Sequence, residues 1–147
     1  MRALEVVELT GRPFRARLPP MEYAFDRVLQ IGIRAPRPVL DERIEQRVSH
    51  MWESGLVDEV RALEEAGIRA GRTASRALGY AQVLRFLAGD CTEEQARLDT
   101  LRATRRFARR QDSWFRRDPR ISWLEYDDPE LTQRALAMME ALGRRVG

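Results

Sequence analysis

The stretch Thr104-Arg105-Arg106-Phe107-Ala108-Arg109-Arg110-Gln111-Asp112-Ser113-Trp114-Phe115-Arg116-Arg117 concentrates most of the chemistry in this chain. From Arg102 to Arg120 stand eight arginines (102, 105, 106, 109, 110, 116, 117, 120) against Asp112 and Asp118, a local charge of +6 in a chain whose net charge is +3. A guanidinium is a planar fork of donors that fits phosphate oxygens bidentately. Arg102, Arg106, Arg109 and Arg116 recur at helical spacing and share a face, so they can grip successive phosphates. A basic strip on a near-neutral body is the footprint of a polyanion partner. The competing reading is a solvated face with no function; the scarcity of acids at i±4 argues against it. Leu101, Ala108 and Phe115 recur at seven, with Phe107 and Trp114 beside them, and predict the buried face. Trp114 therefore reads as core rather than as a base-stacking platform.

Two further clusters carry donors. In Ser75-Arg76-Ala77-Leu78-Gly79-Tyr80-Ala81-Gln82, a glycine within a predicted helix costs about 1 kcal/mol against alanine. It can admit a ligand or another backbone closely, or it can serve a helix–helix contact; the sequence supports both equally. Arg43 and Arg47 lie one turn apart near the start of a helix that follows a strand. Such arginines can lid a leaving phosphate, although a solvated face is the plainer reading.

All 26 basic residues are arginine. Codon bias explains much of this, but one consequence is strict: a loop of the form G-x-x-x-x-G-K-[S/T] does not occur here, for want of its lysine. His50 has no Cys or second His near it, which argues against a zinc site. Cys91 stands alone, so no internal disulfide forms, which fits a reducing cytoplasm. No apolar run approaches the roughly 18 residues of a membrane span, and Glu5 interrupts any signal-peptide layout.

These residues need elements to position them. Residues 2–10 predict a helix closed by Gly11, one that reads as starting in its middle because Met1 and Arg2 supply no cap. Residues 11–26 are Pro- and Arg-rich loop, and 28–33 predict a buried strand. Asp41 is the expected cap of a helix buried through Ile44, Val48, Met51 and Trp52, broken at Gly55. Leu56, Val60 and Leu63 continue on a helix to Gly67. Ser75 opens a helix to about Ala88. Thr92 and Gln95 form a capping box for the longest helix, 93–117, and Pro119 ends it. Residues 121–126 predict a second strand; Asp128 and Pro129 start a last helix to about Leu142. The class is α/β, mostly helical. Two strands joined through helices are expected to be parallel, and two are too few for an independent sheet, so the sheet reads as incomplete, with its other strands expected from an upstream segment.

The segments RALEVVELTG, IGIRAPRPVLDERIEQRVSHMWESGLVDEVRAL, RALGYAQVLRFLAGD and TRRFARRQDSWFRRDPRISWLEYD resemble, in this order and spacing, the tRNA dimethylallyltransferase (isopentenyltransferase) family, from Arg2 to about Tyr126. The resemblance implies a P-loop-type α/β core with a helical insertion. Residues 1–26 would then be a remnant of the tRNA-binding insertion and 27–147 the C-terminal part of the core. It implies transfer of a dimethylallyl group from dimethylallyl diphosphate to N6 of adenosine 37 of tRNA, assisted by Mg2+, in a cytoplasmic monomer without a membrane. The family's P-loop and general base lie N-terminal to the matched region, so this chain reads as a C-terminal fragment, inactive alone; a stand-alone RNA-binding module is the alternative. Matched by position, tRNA contacts fall on Arg2, on Arg76, Ala77, Leu78, Gly79, Tyr80 and Ala81, and on Arg109, Arg110, Gln111, Asp112, Ser113, Trp114, Phe115 and Arg116. Ala81 replaces an Arg frequent in the family, and Ser113 a Thr. Arg47 matches an Arg expected to reach the diphosphate.

Overall fold

A computed structural model describes residues 2–11, 24–25 and 27–144. Most of the expected loop over 11–26, and with it much of the expected insertion remnant, lies outside the described residues. In chain order the elements are α1 (Arg2–Thr10), β1 (Gln30–Arg34), α2 (Arg37–Glu53), α3 (Leu56–Glu65), α4 (Tyr80–Leu87), α5 (Glu93–Phe115), β2 (Ile121–Glu125) and α6 (Leu131–Arg144). Single 3-10 turns at Ile68–Ala70 and Ala74–Arg76 bridge α3 and α4.

The helices pack through small patches. Leu56, Val60, Val83 and Leu84 form a buried cluster joining α3 to α4, with Met51, Trp52, Ile68 and Leu87 packed around it. On α2, Ile44 and Val48 are buried; on α5 the buried positions are Ala96, Thr100 and Ala103. Small residues there let helices approach closely, and the Thr100 hydroxyl donates to Ala96 O at 2.9 Å, satisfying a buried polar group without a tertiary partner.

The strands pair in parallel as expected, in register from Gln30 against Ile121 to Arg34 against Glu125. The first strand starts two residues later than the apolar run at Val28. Asp118, Arg120 and Gln30 fasten its beginning: Arg120 Nη2 sits 2.8 Å from Asp118 Oδ2, and the Gln30 amide reaches both side chains at 3.2 Å. Gly32 faces Trp123. A Cβ at position 32 would fall 2.6 Å from Trp123 Cε3, so only glycine lets the indole lie across the neighbouring strand.

Three expected helix starts move. Helix α2 begins at Arg37, with Pro36 at the N-cap and Pro38 in its first turn; proline's fixed φ suits that position, and Asp41, expected as the cap, is freed for ion pairs. The expected helix from Ser75 starts only at Tyr80, because Gly79 takes φ 94. Gly79 therefore heads the helix rather than interrupting it, and its N–H is satisfied by Gln82 Oε1 at 2.9 Å. Asp128 accepts from Glu130 N at 2.9 Å in a turn ahead of the helix rather than capping it, because the helix opens only at Leu131. At α5, Thr92 accepts from Gln95 N at 3.1 Å, whereas the Gln95 side chain turns to Asp99 at 2.9 Å, so half of the expected capping box forms.

The Gly32–Trp123 contact makes a sharp expectation. Gly32→Ala should destabilise the chain by about 1–3 kcal/mol through overpacking, read as a lowered thermal midpoint; an unchanged midpoint would mean that the indole swings clear at no cost.

Candidate nucleic-acid interface

Helix α5 rests on α2 and α4, and these supports end before the helix does. Every residue from Arg109 to Arg117 is exposed. The expected buried face fails at this end: Phe107 is 42% exposed, Phe115 47% and Trp114 66%. The same apolar periodicity buries a helix only where a neighbour covers it.

Where the supports end, an ion-pair knot ties α5 down. Asp41 on α2 receives Arg37 Nε at 2.9 Å. Arg105 on α5 pairs with Glu45 at 2.9 Å, and its buried Nε faces Asp41 Oδ1 at 3.7 Å, an ion-pair separation too long for a hydrogen bond. Arg37 Nη2 also donates to Arg105 O at 3.2 Å. The hydrogen bond from Arg37 holds the Asp41 carboxyl below its ordinary pKa; partial burial opposes this, and the charges of Arg37, Arg105 and Arg109 add to it.

The knot sorts the arginines. Arg102 lies 3.5 Å from Asp99, and Arg116 Nε donates to both Asp112 oxygens at 2.9 Å. The expected scarcity of neutralising acids is thus corrected: Asp41 and Glu45 arrive from α2, and Asp99 and Asp112 sit three and four residues from their partners. Among the described residues, Arg106, Arg109 and Arg117 have no ion pair, and Arg110 lies over the Phe107 ring at 5.8 Å.

The remaining candidates fall elsewhere. Arg76, Ala77 and Leu78 are exposed before α4, Gly79 is buried, and Tyr80 and Ala81 are half-buried. A Cβ on Gly79 would meet Met51 at 3.3 Å and Leu56 at 3.7 Å, so this glycine packs closely against α2 and α3. Tyr80 donates its hydroxyl to Glu59; that hydrogen bond, then burial, raises the phenol's pKa. Among the described residues no hydrogen bond or ion pair joins positions 76–81 to 109–116. Arg43 stacks over Tyr126 at 4.8 Å, while Arg47 is exposed one turn on. The side chain of Arg2 lies outside the described residues.

Sequence reasoning missed an open crevice of about 330 Å³ between the end of β1 and the last turns of α5, with Arg34, Arg37 and Arg116 beside Leu40, Phe115 and Trp123. Arg34 and Arg37 flank Pro36 at a strand end, which was the available signal. Among the described residues no group of three or more His, Cys, Asp or Glu is placed to hold a metal ion. None of the described helices is long and apolar enough to cross a membrane.

Residues 1–118 match the sequence profile of the family described as IPP transferase. The chain belongs to the IPP transferase family. A tRNA dimethylallyltransferase of Thermobifida fusca (strain YX) is 68% identical over 139 residues, covering 95% of this chain and 43% of that protein. One of Streptomyces coelicolor is 62% identical over 143 residues, again with 95% of this chain and 46% of that protein covered. The crystal structure of the full-length tRNA isopentenylpyrophosphate transferase of Bacillus halodurans superposes with a TM-score of 0.76 at 32% identity, over 97% of this chain and 44% of that one. The corresponding Staphylococcus epidermidis structure gives 0.70 at 25% identity, over 98% and 47%. This IPP transferase chain therefore spans less than half the length of these relatives.

Acid should loosen the knot of this IPP transferase chain. Because the folded state holds the Asp41 carboxylate below its unfolded pKa, the stability gained is full above about pH 4 and lost as pH falls through the lower folded value. Asp41→Asn should lower the thermal midpoint at neutral pH and shrink the further drop on acidification; Asp118, whose carboxyl Arg120 likewise holds down, leaves a residual drop. A variant that loses as much on acidification as the parent would exclude Asp41 as a source.

Proposed function

We propose that this chain grips the anticodon stem-loop of tRNA for a tRNA dimethylallyltransferase, which moves a dimethylallyl group from dimethylallyl diphosphate to N6 of adenosine 37. The observation that carries the reading is the free end of α5, where Arg106, Arg109 and Arg117 stand uncovered and without ion pairs among the described residues. Unpaired arginines on an exposed helix face neutralise phosphates and release their counterions. The family membership supports tRNA as that polyanion: the relatives are tRNA dimethylallyltransferases.

The chemistry asks for such a grip. As N6 attacks the allylic carbon, diphosphate departs and its developing charge must be met. The adenosine must first leave its stack, because its reacting atom is otherwise occluded. Loops are held by their backbone and by their unstacked bases. In this reading Arg109, Arg110 and Arg116 meet the backbone, Arg116 after exchanging Asp112 for phosphate. Arg76 and the Gly79-Tyr80 turn form a second contact, and Arg47 reaches the diphosphate. Magnesium would assist that diphosphate; among the described residues no group of three or more His, Cys, Asp or Glu is placed to hold it.

Two outcomes test this. Binding of an anticodon stem-loop RNA should weaken with salt, and Arg106→Ala or Arg109→Ala should each reduce the log–log salt slope by about one unit. Unchanged slopes in both variants would mean that these guanidinium groups are merely solvated. The 147-residue chain, carrying no lysine, should give no prenylated product from tRNA and dimethylallyl diphosphate; turnover would show that transfer here does not need a P-loop lysine.

A further inference from the structure

We propose that the flank of α5 carrying Phe107, Arg110 and Trp114 is a stacking platform for an unpaired base of single-stranded RNA, an inference that rests on the RNA-binding reading of the same helix. The three residues recur at three, four and seven and so occupy one flank. Trp114 is 66% exposed and Phe107 42%. Neither ring lines the crevice that this end of the helix shares with Arg37 and Leu40 of α2, so both stand open on the other flank. The guanidinium of Arg110 is held over the Phe107 ring, 5.8 Å from its centroid, which adds a flat cation to the two aromatic faces.

The neighbouring face sets what can dock. It carries Arg106, Arg109 and Arg117, without ion pairs among the described residues. An occupant must therefore present negative charge and flat apolar faces within one helix width. An unpaired nucleotide does both: its phosphate meets the arginines, and its base stacks on an aromatic ring or a guanidinium plane. A duplex keeps its base faces buried in its own stack and offers phosphates alone. Stacking also differs from charge neutralisation in its salt response, since it releases no condensed counterions. The platform and the arginine face can thus be separated by experiment.

The test compares an anticodon stem-loop RNA with a fully paired RNA duplex of equal length, each titrated across a salt series against the 147-residue chain. Trp114→Ala and Phe107→Ala should weaken stem-loop binding about 5- to 150-fold, leave the salt slope unchanged and leave duplex binding nearly intact. Trp114→Phe should retain most of the affinity, because a smaller ring still stacks. Arg109→Ala should instead lower the slope with both RNAs. Equal losses on stem-loop and duplex, or no loss in Trp114→Ala while Arg109→Ala still lowers the slope, would overturn the platform and leave the arginine grip standing. Absence of any salt-sensitive RNA binding by the parent chain would overturn both. Binding of the aromatic flank to anionic lipid vesicles in place of RNA would likewise reject it.

Discussion

Asp41 sits between two arginines, one a turn earlier on its own helix and one on a helix distant in sequence, and the placement of the basic surface depends on it. Exposed ion pairs contribute little singly. Here Arg37 and Arg105 share the carboxylate, Glu45 takes the second edge of Arg105, and Arg37 also reaches the Arg105 carbonyl. A partly buried network of this kind fixes geometry more than it adds stability. It clamps α5 to the first turns of α2. Beyond Arg105, ten residues of helix run on for about 15 Å, half-buried at Ala108 and exposed from Arg109 onward, with one side open to the crevice beside Arg37, Leu40 and Trp123.

That overhang divides the arginines by task. Arg37 and Arg105 are spent on structure, Arg102 and Arg116 are occupied by carboxylates on their own helix, and Arg43 lies on Tyr126. Among the described residues Arg106, Arg109 and Arg117 carry no ion pair and stand exposed. A basic strip of uniform composition is thus a mixture of anchors and free cations, and only the free ones can be expected to set salt dependence. Asp112 adds a further constraint: both of its oxygens share the Nε of Arg116, so any other anion would have to displace a carboxylate there.

The local chemistry of the fold was largely legible. The strand pair, its parallel sense and the six helices among the described residues follow from periodicity and punctuation. Thr92 caps α5 as its type suggests. The failures share a cause. A carboxylate near a helix start most often caps, which is what Asp41 suggests, yet Pro36 and Pro38 start that helix earlier and a distant Arg105 claims the carboxylate. The pattern around Gly79 suggests a helix interior, but its φ of 94 makes it the start of one. Trp114 and Phe115 have the spacing of a buried stripe, and both are exposed.

Composition and spacing alone determined that a helix near residues 93–117 carries a dense basic strip, that no P-loop lysine exists in these residues, and that two parallel strands are linked through helices. These follow from residue type and backbone periodicity, which are local. Tertiary structure decided which arginines are neutralised, where the helix leaves the body, and that its aromatic side chains face solvent. Those outcomes depend on which neighbours arrive from tens of residues away and where their contact ends, and a periodic pattern carries the same signal whether a neighbour covers it or not.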